Sequence, residues 1–132
     1  MNILKNGKLD GVCVHADRLK IAQVLSNLLS NAAKISPVDA KIMLVLTEKE
    51  SCIEFKVIDF GCGIPEENIS KIFNKFTQFS YDGKSYGGLG LGLYIVNQII
   101  TGHGKEISVS SVIDAGTTFC FELDKPGFVA ES

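Results

Sequence analysis

Two pairs of strand-like segments, each pair joined by a short turn, constrain the fold of this chain most strongly. In the first pair, residues 41–47 are apolar on both faces, which predicts a strand buried inside a sheet. Residues 52–58 alternate apolar and polar side chains, which predicts a half-buried strand. Residues 105–113 and 117–123 form the second pair. Because turns this short join antiparallel neighbours, the pattern predicts a mostly antiparallel sheet.

Three segments with helical periodicity can cover such a sheet. The longest, residues 18–35, follows Asp17, a residue type suited to capping a helix, and ends before Pro37. A short helix is expected from Pro65, and a third helix over residues 91–101. The order of elements predicts an α+β fold. It is a two-layer α/β sandwich in which a mixed, mostly antiparallel sheet packs on about three helices.

Two further segments carry weaker signals. Residues 12–15 alternate weakly, which predicts a short strand. Residues 78–88 are polar and contain glycines, which predicts a mobile loop. Since the chain has no internal repeat, no low-complexity tract and no long linker, we expect a single domain over residues 1–132.

The composition excludes several classes of protein. The 13 lysines and arginines are balanced by 15 acidic residues, for a formal net charge of −2, which argues against a nucleic-acid binder. No apolar run approaches the roughly 20 residues that cross a bilayer, and the start lacks a secretory signal. We therefore expect a cytoplasmic domain without membrane contact. The four cysteines form no CxxC pair, so zinc is not expected, and most are expected to be small buried hydrophobes.

The first candidate site is a polar stripe on the long helix. Asn27, Asn31 and Lys34 fall within about 60° of one another around the helix axis, and Lys20 and Gln23 border them. Amide oxygens can ligate a hard cation, and a lysine can bind phosphate. The alternative is an ordinary solvated helix face.

The second candidate is the segment from Asp59 to Gly63. Asp59 follows a predicted strand, and the glycines at positions 61 and 63 allow the backbone to turn sharply there. A carboxylate only accepts hydrogen bonds, so it suits an amine donor. The alternative is an acidic turn residue. The triplet Asp-Phe-Gly also occurs in protein kinases, but this chain is too short for that fold.

The third candidate is the glycine-rich segment 87–93, directly before the third predicted helix. Glycines let a backbone approach phosphates, and helix N-termini present free N–H groups to anions. The spacing matches neither the dinucleotide fingerprint nor the Walker motif. A flexible hinge is the alternative.

Together, these segments resemble the ATP-binding domain of sensor histidine kinases, in the Bergerat-fold (GHKL) ATPase superfamily. Residues 17–34 are similar to the family's asparagine box, and residues 59–65 to its first glycine box. Residues 72–76 resemble the phenylalanine box, residues 88–96 the second glycine box, and residues 116–119 the terminal glycine-threonine motif. The resemblance covers residues 10–124, nearly the whole chain.

The resemblance implies a role for each matching polar residue. Asn31 is expected to coordinate a Mg²⁺ ion that bridges the ATP phosphates, Asn27 to support the phosphate site and Lys34 to contact phosphate oxygens. Asp59 is expected to accept a hydrogen bond from the adenine amino group. Thr117 is expected to close the adenine pocket through water.

The resemblance also implies roles for the apolar and glycine residues of the boxes. The glycines after the aspartate shape the base pocket, and the glycines before the third helix form a phosphate-facing turn. Residues 64–89 are expected to form an ATP lid, which Phe73 and Phe76 would anchor to the core. The apolar and glycine residues that the resemblance implies in ATP binding are Gly61, Gly63, Ile64, Phe73, Gly88, Leu89, Gly90, Leu91, Gly92 and Leu93.

Three positions depart from the family's pattern: Ile35 replaces an aromatic residue, Phe60 a small or polar one, and Leu89 a small or hydroxyl one. These departures affect base stacking and lid contacts rather than ATP binding itself. The single arginine, at position 18, precedes the lid, so Lys75 and Lys84 are the candidate lid cations.

The phosphate acceptor is not evident in the sequence. His15 and His103 are the two histidines, and neither lies on a suitable amphipathic helix, so we expect both to be structural or surface residues. The leading hypothesis is a histidine kinase catalytic domain. It would transfer a phosphoryl group to a histidine on a dimerisation domain, in the same protein or a separate one. The receiver of a response regulator would then take up this group. The alternatives are a non-enzymatic ATP sensor and an anti-sigma-type serine kinase.

Overall fold

The computed structural model of the chain describes residues 2–6, 14–37, 39–75, 79–81, 84–86 and 92–127. Within those ranges, one sheet has five strands and another has two. The strands are β1 (Asn2–Asn6), β2 (Ile42–Glu48), β3 (Cys52–Asp59), β4 (Phe79–Tyr81), β5 (Lys84–Tyr86), β6 (Ser108–Val112) and β7 (Gly116–Asp124). The helices are α1 (Arg18–Ile35), α2 (Glu66–Ile69) and α3 (Gly92–Gly102).

The five-stranded sheet has the strand order β1-β2-β3-β7-β6. Its β1–β2 pair is parallel, and its other three pairs are antiparallel. The predicted mixed, mostly antiparallel sheet is therefore confirmed, as is the α+β class.

One face of the sheet forms the core. Along β3 and β7 the buried residues face each other in register, as in the pairs Phe55–Phe121 and Val57–Phe119. The first pair stacks with its ring centroids 4.9 Å apart. Helices α1 and α3 supply the opposing apolar side chains, among them Leu28, Val96 and Ile100, and each is fully buried.

Helix α1 begins and ends where the sequence indicates. Asp17 caps it, because its Oδ1 accepts hydrogen bonds from the backbone N–H groups of Leu19 and Lys20, each at 3.1 Å. Ser36, which precedes a proline, has an extended backbone conformation and ends the helix. An N-cap of this kind contributes about 1 kcal/mol to helix stability.

Several expectations about individual elements were wrong. Val14 and His15 lie outside any strand, so the described half of the expected strand at 12–15 is absent, while the pattern did not reveal β1. The expected loop 78–88 contains β4 and β5, which pair with each other. Polar, glycine-bearing segments can form such short hairpins, and composition alone does not distinguish them from loops.

The burial of β2 and the length of α2 also differ from expectation. In β2 only Leu44 is buried, and Ile42 and Leu46 on the same face are partly buried against the core, so the strand is less buried than expected. The short helix α2 spans four residues, so Ile72 and Phe73 lie in the turns that follow it. Ile72 is nevertheless buried in the core, as its apolar character suggested. In the described part of the chain, no helix has the length and apolar character needed to cross a membrane.

Candidate functional site

Polar side chains occupy one end of the otherwise apolar core face of the sheet. Asp59 on β3 is opposite Thr117 on β7, and Thr117 is opposite Ser111 on β6. The preceding pairs along these strands are apolar, for example Val57 with Phe119. Asp59 and Thr117 are each only 2% exposed. Buried polar groups at a sheet end require hydrogen-bond partners or a ligand, so this row is a candidate binding site.

The Asp59 carboxyl group is held by the turn that follows it. Its Oδ1 accepts a hydrogen bond from the backbone N–H of Gly61 at 3.0 Å. Burial raises the pKa of Asp59, while backbone hydrogen bonds from Gly61 and Thr117 act in the opposite direction. A carboxylate has about four lone-pair sites, so it can also accept hydrogen bonds from a bound molecule.

Two glycines allow the chain to turn tightly after Asp59. A Cβ atom on Gly61 would lie 2.7 Å from the backbone oxygen of Ile35, at the end of α1. Gly63 has φ +78°, a conformation that side-chain-bearing residues rarely adopt, and its Cβ would overlap the backbone of Val112. These glycines therefore bring the turn close to both α1 and β6.

Ser111 is a site residue that the sequence analysis missed. Its Oγ accepts a hydrogen bond from the backbone N–H of Ile64 at 2.7 Å and lies 2.8 Å from the Thr117 Oγ1. It also donates to the backbone oxygen of Gly116 at 3.0 Å. The alternation along residues 105–113 could have placed Ser111 on the core face, but serine is too common in strands for that position to stand out.

The polar stripe of α1 contains one side chain with unusual burial. Asn31 is 5% exposed, and neither its Oδ1 nor its Nδ2 has a hydrogen-bond partner among the described residues. Asn27 donates from its Nδ2 to the backbone oxygen of Gly92, at the start of α3, over 3.4 Å. Lys34, Lys20 and Gln23 are exposed. At Asn31, therefore, the stripe is buried, and the alternative of an ordinary solvated helix face does not describe this position.

The expected lid and glycine turn are described only in part. Ile64 is buried, and the Phe73 ring meets Phe119 edge-on, with centroids 6.2 Å apart and planes at 75°. Gly92 and Leu93 are half-buried in the first turn of α3, and Leu93 packs against the core. Gly88, Leu89, Gly90, Leu91 and Phe76 lie outside the described residues.

The candidate lid cations can be placed only in part. The Lys75 ammonium group lies 5.8 Å from the centroid of the Tyr94 ring, a cation–π contact between the segment after α2 and helix α3. Only the backbone of Lys84 is described, in β5. The contact made by Lys75 connects the expected lid to the helix that follows the glycine turn.

His103 connects the two long helices away from this site. Its Nε2 accepts a hydrogen bond from the backbone N–H of Asp17 at 3.0 Å, and its Nδ1 lies 2.8 Å from the backbone oxygen of Ile99. This arrangement requires the proton on Nδ1. His103 thus has the structural role that the sequence suggested, and the His15 side chain is exposed.

The described cysteines are thiols and differ in burial. Cys52 is buried, whereas Cys62 and Cys120 are only partly buried. Burial raises the pKa of Cys52 and Cys120. The described residues contain no group of three or more His, Cys, Asp or Glu side chains that could hold a metal ion. Cys13 lies outside them.

Comparisons with known proteins agree with this geometry. Residues 16–127 match the family model described as "Histidine kinase-, DNA gyrase B-, and HSP90-like ATPase". The circadian input-output histidine kinase CikA of Synechococcus elongatus is 34% identical over 90% of this chain. The sensor histidine kinase WalK of Bacillus subtilis is 36% identical over 83%. The chain spans 16% and 18% of the lengths of these two relatives.

Solved structures show the same relationship. The catalytic domain of histidine kinase ThkA superimposes with a TM-score of 0.77 and 33% identity, covering 94% of this chain and 78% of that domain. ThkA in complex with the response regulator protein TrrA matches with a TM-score of 0.75 and 30% identity, covering 94% of this chain and 33% of that one.

The chain therefore belongs to the histidine kinase-, DNA gyrase B- and HSP90-like ATPase family. Because these relatives and structural neighbours are histidine kinases, it is the ATPase-type catalytic domain of two-component kinases.

Proposed function

We propose that the chain binds ATP with Mg²⁺ and transfers the γ-phosphoryl group to a histidine on a separate dimerisation domain. The activity of the whole protein is part of this proposal, since the chain spans less than a fifth of the curated relatives described above. The nucleotide would lie between the polar end of the sheet and the polar edge of α1.

The base end of this site suits adenine. Asp59 is a buried acceptor and would receive a hydrogen from the adenine amino group, with Thr117 beside it closing the pocket through water. Gly61 and Gly63 keep the turn close to α1 and β6, which gives the pocket a fixed wall. Ile64, buried next to this turn, supplies apolar surface.

One observation above all supports a phosphate site beside α1. The Asn31 amide is buried and has no hydrogen-bond partner in the described part of the chain. Leaving a buried amide unsatisfied costs about 1–3 kcal/mol, so its retention is typical of a group that serves a ligand. An amide oxygen is a good ligand for Mg²⁺, and the donor chemistry of Asn31 therefore fits this ion. When bound, Mg²⁺ would neutralise charge on the phosphates.

The protein's other contributions to phosphoryl transfer are positioning and charge. Lys34, one turn beyond Asn31, would contact phosphate oxygens, and Asn27 would hold the start of α3 through Gly92. Gly88, Gly90 and Gly92 would present backbone N–H groups to the phosphates. Residues 64–89 would close over the nucleotide as a lid, with Phe73 attached to the core through Phe119.

The partners follow from the chemistry that the chain needs. We expect a histidine-bearing dimerisation domain, in the same protein or another, and a response regulator that receives the phosphoryl group. The complex of ThkA with its response regulator supports such a partner. We also expect residues 1–132 to form a single domain that functions in the cytoplasm, where ATP is available, whether or not the full-length protein is anchored in a membrane.

The test is a phosphotransfer assay with γ-labelled ATP. The folded chain is incubated with a histidine kinase dimerisation domain, and in parallel with the same domain carrying glutamine in place of its acceptor histidine. We expect acid-labile, alkali-stable label on the first domain only. Tight ATP binding with no transfer to any acceptor would support the non-enzymatic sensor instead. Acid-stable label on serine would support the anti-sigma-type kinase.

A further inference from the structure

The hydroxyl of Ser111 makes three contacts at the base end of the site. It accepts a hydrogen bond from the backbone N–H of Ile64, donates to the backbone oxygen of Gly116 and lies 2.8 Å from the hydroxyl of Thr117. All of these groups belong to segments that surround Asp59. The hydroxyl therefore connects the turn after β3 with the strands β6 and β7.

Counting hydrogens favours one direction for the bond between the hydroxyl groups of Ser111 and Thr117. A serine hydroxyl has one hydrogen and two lone pairs. The Gly116 carbonyl can only accept, so it takes the hydrogen of Ser111. The Ile64 N–H occupies one lone pair of Ser111. All three contacts are hydrogen bonds at the same time only if the other lone pair accepts the hydrogen of Thr117, over the 2.8 Å that separates the two oxygens, and we infer this direction.

This direction determines what Thr117 offers to a bound molecule. With its own hydrogen directed at Ser111, the Thr117 oxygen has only lone pairs available. Asp59, its partner across the strands, is also an acceptor when ionised. The two buried side chains therefore form an edge that accepts hydrogen bonds and donates none. Such an edge favours an amino group or a water that donates to it, and disfavours a carbonyl oxygen.

We propose that Ser111 is a specificity-determining residue that, by accepting the hydrogen of Thr117, keeps the base end an acceptor-only edge and so favours adenine over guanine nucleotides. Adenine carries an amino group at the ring position where guanine carries a carbonyl oxygen. Ser111 acts through Thr117 and is therefore a positioning residue. The inference rests on the proposed nucleotide site and adds the residue that sets its selectivity.

The test compares the dissociation constants of ADP and GDP, measured by calorimetry without Mg²⁺ so that the phosphate end contributes equally to both. In Ser111→Ala the Thr117 hydroxyl is free to rotate and to donate to a carbonyl. We expect the preference for ADP over GDP to fall about tenfold, equivalent to roughly 1.4 kcal/mol, the scale of one hydrogen bond. Ser111→Thr retains the hydroxyl and should restore the preference.

A matched control lies on the same two strands. Ser110 faces Thr118 in the next register position, on the opposite face of the sheet, and Ser110 is exposed. Ser110→Ala should leave the ratio of the two dissociation constants unchanged. In a Thr117→Val background, Ser111→Ala should have no further effect on that ratio, because Ser111 acts through the missing hydroxyl.

Each result leads to a distinct conclusion. If Ser111→Ala weakens ADP and GDP equally, Ser111 is a structural residue and the inference is wrong, while the nucleotide site stands. A ratio change that persists in Thr117→Val also overturns it. If the wild-type chain binds neither nucleotide, the proposed function fails as well. Should Ser111→Ala not fold, Ser111→Cys takes its place, because a thiol accepts hydrogen bonds only weakly and should also lower the preference for ADP; an unchanged ratio would overturn the inference.

Discussion

The two ends of the candidate site differ in how their polar groups are satisfied. At the base end, hydrogen bonds of 2.7–3.0 Å join the hydroxyl groups of Ser111 and Thr117 to each other, and join Asp59 and Ser111 to backbone N–H groups of the turn after β3. At the phosphate end, the amide of Asn31 is buried without a partner in the described residues, and Lys34 is exposed to solvent. The side chains of the base end thus have hydrogen-bond partners among the described residues, whereas the Asn31 amide has none there, which supports the proposal that a ligand binds at the phosphate end.

This difference has a physical origin. The base end is formed by strand ends in a fixed register, and backbone groups there are available to satisfy buried side chains. Under the proposed function, the phosphate end would bind several negative charges, and polar groups without a partner in the described residues would be available to bind them. If the proposed function holds, the preformed base end would give selectivity for the base, and the phosphate end would make binding dependent on Mg²⁺.

The largest expected effect is at the base end, in Asp59→Asn. The adenine amino group loses a charged acceptor, and hydrogen bonds to charged groups contribute about 1.5–3 kcal/mol. We therefore expect ATP affinity to fall roughly 10- to 100-fold, measured by calorimetry. Unchanged affinity would contradict the assignment of Asp59 to the base pocket.

The same variant should not destabilise the ligand-free protein. Because the pKa of Asp59 is raised in the folded state, its ionised form opposes folding, and stability falls as pH rises from the unfolded value of about 3.8 through the folded pKa. Asp59→Asn removes this opposition. At pH 7 the variant should melt at or above the wild-type temperature, and the difference should shrink in acid. A clearly lower melting temperature at pH 7 would show that the carboxylate stabilises the fold.

The next effect tests whether the base end is rigid. In Gly61→Ala the new methyl group would lie 2.7 Å from the Ile35 backbone oxygen, a contact that forces the turn or α1 to shift. We expect a loss of about 1–3 kcal/mol in the free energy of unfolding, measured in denaturant. Gly102→Ala, where nothing lies within 4 Å of the added atom, should be neutral or stabilising. Equal effects of the two substitutions would mean that the turn does not pack tightly.

The phosphate end should respond in the opposite way. Asn31→Ala removes a buried amide that has no partner in the described residues, so the ligand-free protein should be as stable as the wild type or more stable. The rise in melting temperature on adding MgATP should become smaller, because a tenfold loss of affinity removes up to about 1.4 kcal/mol of ligand stabilisation. Ser30→Ala, on the exposed face of α1, should change neither quantity. A destabilised ligand-free Asn31→Ala would indicate that the amide has a structural role.

The smallest effect concerns the attachment of the expected lid. Phe73→Leu removes the edge-on contact with Phe119, which contributes about 0.5–1.5 kcal/mol to stability. Phe60→Leu is the matched control, because Phe60 is 49% exposed, and its effect should stay within about 0.5 kcal/mol. Denaturant unfolding measures both, and a larger loss in the control would contradict the assigned packing of Phe73.

The sequence predicted the base end better than the phosphate end. Asp59 was found because a strand pattern ended there and glycines followed, which are local signals. Ser111 was missed because its importance depends on its register against Thr117, a relationship between strands distant in sequence. The stripe of Asn27, Asn31 and Lys34 was visible as a spacing. The burial of Asn31 was not visible, since it depends on packing around the helix.

The fold shows the same division. Helix α1 and the paired strands β2, β3, β6 and β7 were predicted because periodicity and turn length are local. Strand β1 was missed because it pairs in parallel with β2, from which more than 30 residues separate it. A parallel pair is not joined by a short turn, so the sequence between the two strands does not indicate the pairing. Burial of β2 was overestimated because apolar side chains on both sides of a strand do not reveal how far other elements cover them, and most of these side chains are only partly buried.

Calorimetric titration of the folded chain with MgATP tests the central claim most directly, with Asp59→Asn and Asn31→Ala titrated alongside. The account predicts saturable binding by the wild type. It further predicts that Asp59→Asn binds ATP more weakly than the wild type both with and without Mg²⁺. Asn31→Ala should bind more weakly mainly when Mg²⁺ is present. Absence of any binding heat at millimolar MgATP, together with an unchanged melting temperature, would contradict it.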